Sequence, residues 1–307
     1  MKVLLLLLCI VSAFSSYAQD LLIKTDGTTI PYKKLKWDEG IGTVTTDKNQ
    51  KITIREVEVF GIYEEFNQRV SYKKPNIPLN ENGQGKQKEG NGFQYLQKEE
   101  TGTINLYKEE IISSYRGASG TNHTSSTIYY YAEKGNEFKN VMTTGTFYKE
   151  DALNVFKSFF TDDREVLDEI ESGEFVYNIK NLLKVVRKYN MSHFEKPSAP
   201  DYQVIGTIGF FTKAEGKSKA SIVLKVNDSI EYKLPASHHP LPIKVPLNKP
   251  SKVCATWDGG SACELVEPIR YATTYYEVEI NLNKTLALEK QTYSQFRSYI
   301  SKAIQSD

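Results

Sequence analysis

Apolar and polar side chains alternate along the first part of the chain. Leu21-Leu22-Ile23 leads into Asp26-Gly27, a hairpin turn dipeptide, and Thr29 to Leu35, Ile41 to Thr45 and Ile52 to Ile54 repeat the pattern. Val57, Val59 and Gly61-Ile62-Tyr63 close the series, with Glu56 and Glu58 on the alternate positions. A period of two buries one face of a strand and solvates the other, so residues 19–72 are expected to form a small β-barrel or rolled sheet.

The pattern lapses over residues 73–92, KKPNIPLNENGQGKQKEGNG, which are rich in glycine and polar side chains. So little apolar surface does not offset the entropy of ordering, and a flexible linker is expected there. Alternation resumes at Gly102 to Tyr107, Ile111 to Tyr115, Thr127 to Tyr131 and Phe138 to Met142, with Arg116 to Ser126 reading as an exposed hairpin loop. The period then changes. Leu153, Phe156 and Phe160 share a helical face, as do Ile179, Leu182, Leu183, Val186 and Tyr189. Asp162 with Glu165 has the spacing of a capping box, Asn178 suits a second helix start, and Asn190 suits a helix exit. Residues 93–195 therefore predict an antiparallel sheet with helices packed on it.

Lys196-Pro197-Ser198-Ala199-Pro200 reads as a stiff boundary. Eight short apolar runs follow, the first at Val204 to Phe211 and the last at Leu286 to Glu289, with turn residues between them. That spacing predicts a β-sandwich over residues 202–307, and Tyr293 to Ile304 predicts a terminal helix with Phe296, Ile300 and Ile304 inward. The class is α+β, rich in β.

The N-terminus changes the picture of where the chain works. Lys2 precedes an apolar run from Val3 to Phe14, and Ser16-Tyr17-Ala18 offers small residues for cleavage. The run makes about 18 Å of helix, short of a ~30 Å hydrocarbon core. A signal peptide over residues 1–18 is expected, with the mature chain starting at Gln19. Leu8 before Cys9, which itself lies inside the apolar run, argues against lipidation. The mature chain is expected to be soluble, with at most peripheral attachment to an envelope. The 39 basic and 38 acidic side chains are interspersed, which argues against a nucleic-acid partner. The 20 tyrosines point to sheet packing first and to a protein- or glycan-binding surface second.

Without Cys9 two cysteines remain, flanking the turn dipeptide Asp258-Gly259. Counted outward from that turn, Cys254 and Cys263 fall opposite each other on a non-hydrogen-bonded pair, close enough for a disulfide. An exported chain meets an oxidising compartment, so the Cys254–Cys263 disulfide is expected. Other chemistry is thin. Gly259-Gly260-Ser261-Ala262-Cys263 lacks the last glycine of a nucleophile elbow and lies in a hairpin. His238-His239 point to opposite sides of an extended chain, and His123 and His193 stand without ligand spacing. No catalytic, metal or cofactor residue is expected from motifs.

Asp20 to Gly27, Gly102 to Tyr107 and Phe159-Phe160-Thr161-Asp162-Asp163 with Val185 to Asn190 resemble exported proteins of the Bacteroidetes whose function is undefined. Residues 202–300 are similar to a small β-sandwich of bacterial envelope proteins, through Val226-Asn227-Asp228, the turn near Pro250, Tyr275 to Ile280 and Leu286 to Ile300. Ser229 stands where that pattern has glycine. The resemblance implies a Gram-negative envelope setting and carries no catalytic residue. The expected location is the periplasm or the outer membrane's inner face. The expected role is a non-enzymatic module that binds a protein or glycan. The alternatives are a hydrolase with carboxylates assembled in three dimensions and a structural component of an envelope assembly.

Overall fold

The computed structural model of the chain describes residues 20–38, 40–64, 69–75, 93–116, 120–145, 149–212, 222–234, 240–257, 260–268, 273–280 and 286–291, with Gln295, Phe296 and Ser298. The expected signal peptide, His238-His239, Asp258-Gly259 and the expected terminal helix apart from those three residues lie outside them.

Eleven strands precede the helices: β1 (Asp20–Lys24), β2 (Thr29–Tyr32), β3 (Lys34–Asp38), β4 (Ile41–Thr45), β5 (Lys51–Arg55), β6 (Val59–Glu64), β7 (Arg69–Pro75), β8 (Phe93–Glu100), β9 (Asn105–Arg116), β10 (Asn122–Lys134) and β11 (Glu137–Thr143). Eight of them form one antiparallel sheet in the order β11-β10-β9-β8-β7-β6-β1-β2, and β3-β4-β5 form a second. The expected break between two β modules is therefore absent. Lys73, Lys74 and Pro75 belong to β7, which pairs with β8 from Ser71↔Gln97 to Pro75↔Phe93. Joining the strands satisfies two rows of backbone groups that separate modules would leave open. The remainder of the expected linker, 76–92, lies outside the described residues. The N-terminal strands correspondingly make no module of their own. β1, β2 and β6 extend the large sheet, and β3 to β5 pack on it around Leu22, Val44, Ile54 and Val59.

The expected loop 116–126 is also largely strand. β9 and β10 stay paired from Glu133↔Asn105 to Asn122↔Arg116, leaving only a short connection. The Ser/Thr-rich sequence is polar because the end of this hairpin is exposed, and threonine suits extended chain.

Three helices cover the β9–β11 end of the same sheet face: α1 (Lys149–Lys157), continued by a 3-10 turn Ser158–Phe160, α2 (Arg164–Glu171) and α3 (Ile179–Ser192). Phe156, Phe160, Val166, Leu182 and Val186 meet Leu106, Ala132 and Val141 there. Asn178 caps α3, accepting from the Asn181 N–H at 3.0 Å. The cap of α2 is Asp163, not Asp162, because the Asp163 carboxylate accepts from the Val166 N–H at 3.1 Å. Asp162 instead accepts from Lys134 Nζ at 2.7 Å and from the Tyr189 hydroxyl at 2.8 Å. The opposite sheet face carries a second set of tyrosines. Tyr63, Tyr107 and Tyr131 are buried, and the hydroxyls of Tyr107 and Tyr131 donate to Glu133 and Glu109 at 2.6 and 3.0 Å.

Asn190 does not end α3. It is 2 % exposed, accepts from the Ile104 N–H at 2.8 Å, and donates to the carbonyls of Ile104 and Thr101 at 2.8 and 3.2 Å. The chain passes it through Gly102, whose φ is +153° and whose absent Cβ would stand 2.4 Å from Asn190 Cγ. One amide side chain thus ties α3 to the β8–β9 connection.

The eight strands expected after Pro200 are all present: β12 (Ile205–Phe211), β13 (Ile222–Val226), β14 (Ile230–Leu234), β15 (Leu241–Pro246), β16 (Ser251–Trp257), β17 (Gly260–Val266), β18 (Thr274–Ile280) and β19 (Leu286–Gln291). They form two sheets, β15-β12-β18-β19 and β14-β13-β16-β17, that enclose Phe210, Leu224, Ile243, Val253 and Val278. One pair, β12 with β18, is parallel. Phe296 is buried, stacked on Tyr275 at 3.8 Å and edge-on to Phe211 at 5.2 Å.

Replacing Asn190 by Leu leaves three backbone groups of Thr101 and Ile104 unpaired. A loss of roughly 2–4 kcal/mol is expected, read from the urea midpoint. Gly102→Ala, which keeps the amide but crowds it, should also be destabilising; a midpoint unchanged in both variants would show that the clamp is dispensable.

Candidate functional site

The last residues of β8 reach the sandwich. Lys98, Glu99 and Glu100 end β8 beside Arg187 of α3, and facing them are Glu264 of β17, Glu267 just beyond it, and Lys290 of β19. The register explains why charges stand here. Glu264 pairs with the buried Val253 and so occupies an inward position of the sandwich, while Lys290, which pairs with the buried Tyr276, stands at the exposed margin of the same face. β17 and β19 are the edge strands of their sheets, where an inward charge also discourages edge-to-edge pairing.

Two ion clusters bridge the seam. Lys98 Nζ donates to Glu267 Oε2 at 2.9 Å and lies 4.5 Å above the Tyr72 ring. The Thr101 hydroxyl also donates to Glu267, at 3.3 Å. Arg187 holds two carboxylates, Glu100 at 2.7 Å through Nε and Glu264 at 3.4 Å through Nη1. Burial pushes Glu100 up to about 7, more than Arg187 lowers it, and burial likewise raises Glu264. Burial opposes the charge on Lys98, but Glu267, Tyr72 and Glu133 together outweigh it and the pKa is raised. Crowding by the cleft walls lowers Lys290, for which the described residues supply no ion pair, although the residue still reaches solvent.

Between these groups lie two cavities. One of about 540 Å³ is walled by Glu99, Glu100, Arg187, Glu264, Tyr276 and Lys290. The other, of about 440 Å³, is walled by Lys24, Phe60, Lys73, Lys74, Tyr107 and Asn248. Val70, Tyr72, Lys98, Glu267 and Pro268 border both, so the two make one groove with the Lys98–Glu267 pair at its middle.

None of the cysteines, serine and histidines singled out for chemistry from the sequence lines this groove. Cys254 and Cys263 lie opposite each other on β16 and β17, with a disulfide between them and Cα atoms 4.0 Å apart. They sit half-exposed, on strand positions alternate to the buried Val253 and Ala255. Ser261 is exposed on β17 opposite Thr256, in a hairpin rather than a strand–turn–helix. His193 stacks on Tyr189 at 4.0 Å, and His123 is exposed on β10. Among the described residues no group of three or more His, Cys, Asp or Glu is placed to hold a metal ion. The groove residues were missed because each charge, taken alone, reads as a solvated position. A signal was nonetheless present: Glu264 stands on the same alternate positions as Ala262 and Val266, which an amphipathic strand buries.

The raised Glu100 has a consequence for stability. A carboxyl whose pKa is higher when folded binds its proton more tightly in the native state. Its contribution is present below pH 4.5, the ordinary value, and is lost as pH rises through about 7. Melting temperature should fall between pH 5 and pH 8, and Glu100→Gln should flatten that slope. Parallel slopes for the two proteins would place the titration elsewhere.

The disulfide has its own test. Intact mass of the mature chain without reductant should be lower by two hydrogens than the reduced mass. The closed loop is short, so reduction should cost at most about 2–3 kcal/mol. A free thiol at either position would remove the pairing.

Comparisons with protein families, with curated proteins and with solved structures find no match to this chain.

Proposed function

We propose that the chain is an exported, non-enzymatic protein of a bacterial cell envelope that binds a protein or glycan along the seam between its large sheet and its sandwich. The observation that carries the reading is the shared wall of the two cavities. A groove continuous over both suits an extended ligand, and side chains from three separate parts of the chain converge on it. The large-sheet tyrosines are engaged in packing, so the groove, rather than a flat tyrosine surface, is the candidate interface.

Export draws support from residues 1–18 and from the resemblance to exported proteins of the Bacteroidetes. The cysteine pair at disulfide distance fits an oxidising compartment such as the periplasm. Among the described residues no helix is long and apolar enough to cross a membrane, which fits peripheral association with the outer membrane rather than insertion by a helix.

The native protein, recovered from envelope fractions, should begin at Gln19 and carry a stoichiometric protein or glycan. That ligand should shield Lys98 and Lys290 from an amine-reactive label, and Arg187→Glu should release it. Recovery without any ligand, or with one that leaves both lysines open, would defeat the reading.

One observation favours a second reading, a hydrolase. Glu100, with its pKa pushed up to about 7, holds its proton near neutrality while sharing Arg187 with a second carboxylate, which is what a general acid requires. Glycan chain cleavage by the wild type but not by Glu100→Gln would replace the binding reading with this one.

A further inference from the structure

The two halves of the groove differ in charge. Five glutamates (Glu99, Glu100, Glu264, Glu267, Glu289) face Lys98, Arg187 and Lys290 in the larger half. Four lysines (Lys24, Lys73, Lys74, Lys98) line the smaller half, and Glu267 is the one acidic side chain on its wall. The carboxylates that balance the other lysines, Asp26, Glu56 and Glu133, do not line the cavity. An ammonium carries three donors. Lys24 gives one to Asp26 at 3.4 Å, Lys98 gives one to Glu267 at 2.9 Å, and Lys73 gives one to the Glu56 carbonyl at 2.9 Å with the Glu56 carboxylate 3.6 Å away, so each keeps a donor for an incoming anion. The same half presents an aromatic edge. Phe60 is 49 % exposed and meets Tyr72 edge-on at 5.7 Å.

We propose that the lysine-lined half of the seam groove binds an acidic glycan, with carboxylate or sulfate groups on Lys24, Lys73 and Lys98 and the apolar face of a sugar ring against Phe60. The inference rests on the seam as the binding surface and names the chemistry of its ligand. Lysine ammoniums are mobile point charges that accept either anion, and an aromatic ring selects a flat apolar surface that inorganic anions lack. The larger half sets five glutamates against three cations, so the anionic segment lies better in the lysine-lined half. The electrostatic part of the binding weakens with salt.

The test uses the mature chain and three polymers: polygalacturonate for carboxylate, heparin for sulfate, and dextran as a neutral control. At low salt an acidic polymer should bind and dextran should not, with at least a tenfold loss at high salt. Lys24→Gln and Phe60→Ala should each weaken binding about tenfold. Both positions reach solvent, so the fold should survive, which unchanged circular dichroism would verify. Binding of polygalacturonate alone or heparin alone identifies the anionic group, and either supports the proposal. Equal binding of dextran, no binding of any polymer, or an acidic polymer indifferent to both variants overturns it. A native ligand released by Arg187→Glu but untouched by Lys24→Gln and Phe60→Ala would overturn the acidic glycan while leaving the seam reading in place.

Discussion

The contact on which the seam depends is the Asn190 amide against the backbone of Thr101 and Ile104. α3 could slide or rotate on the apolar face of the sheet, since leucine and valine packing tolerates small shifts. Three hydrogen bonds to backbone atoms fix both its height and its rotation. Arg187 lies three residues before Asn190, on the neighbouring turn, so locking Asn190 also locks the guanidinium that holds Glu100 and Glu264. Gly102 is the backbone's side of the same contact. It adopts a φ that a side chain would resist and leaves the space the amide fills.

The sandwich depends on a comparable device. Asn227 and Asp228 both adopt positive φ, +50° and +57°, and the Ser229 N–H closes the turn on the Val226 carbonyl. The Asn227 side chain is buried, accepts from the Lys252 N–H at 2.9 Å and donates to the Tyr202 hydroxyl at 2.8 Å. Those bonds hold the left-handed conformation that glycine would otherwise supply. Tyr202 precedes β12, so this turn also ties the sandwich to its own entry segment.

How much of this was legible depended on the range of the forces involved. Strands bounded by turns and helices with a single apolar face are local, and all eight sandwich strands and the three helices could be read from their periods. The pairing of Cys254 with Cys263 was legible for the same reason, since a two-residue turn sets the register of its own hairpin. What could not be read was pairing across distance. Nothing in Arg69 to Pro75 names Phe93 to Glu100 as its neighbour, and the glycine-rich stretch between them has the composition of a linker whether it joins two domains or two adjacent strands. Asn190 was misread because an asparagine near a helix end is usually a cap, and only the position of Ile104 makes it a clamp.

The groove shows the same limit at its most severe. Its walls come from residues 23 to 291, and most of the charges in it sit in segments where charge is unremarkable. Yet two of them break the pattern of their own strands: Glu264 takes the inward position before Val266, and Lys290 follows the buried Leu288 on the same face, at its exposed margin. An inward charge on an edge strand needs water or an opposite charge to offset its desolvation. For Glu264 that offset is Arg187, brought from a helix of another unit; for Lys290 it is solvent together with the charges of Glu267, Glu99 and Glu100 across the groove. The two halves of the molecule therefore meet where each has a charge that its own core does not neutralise. That requirement, more than shape alone, keeps the seam polar and open enough to be a groove rather than a sealed apolar interface.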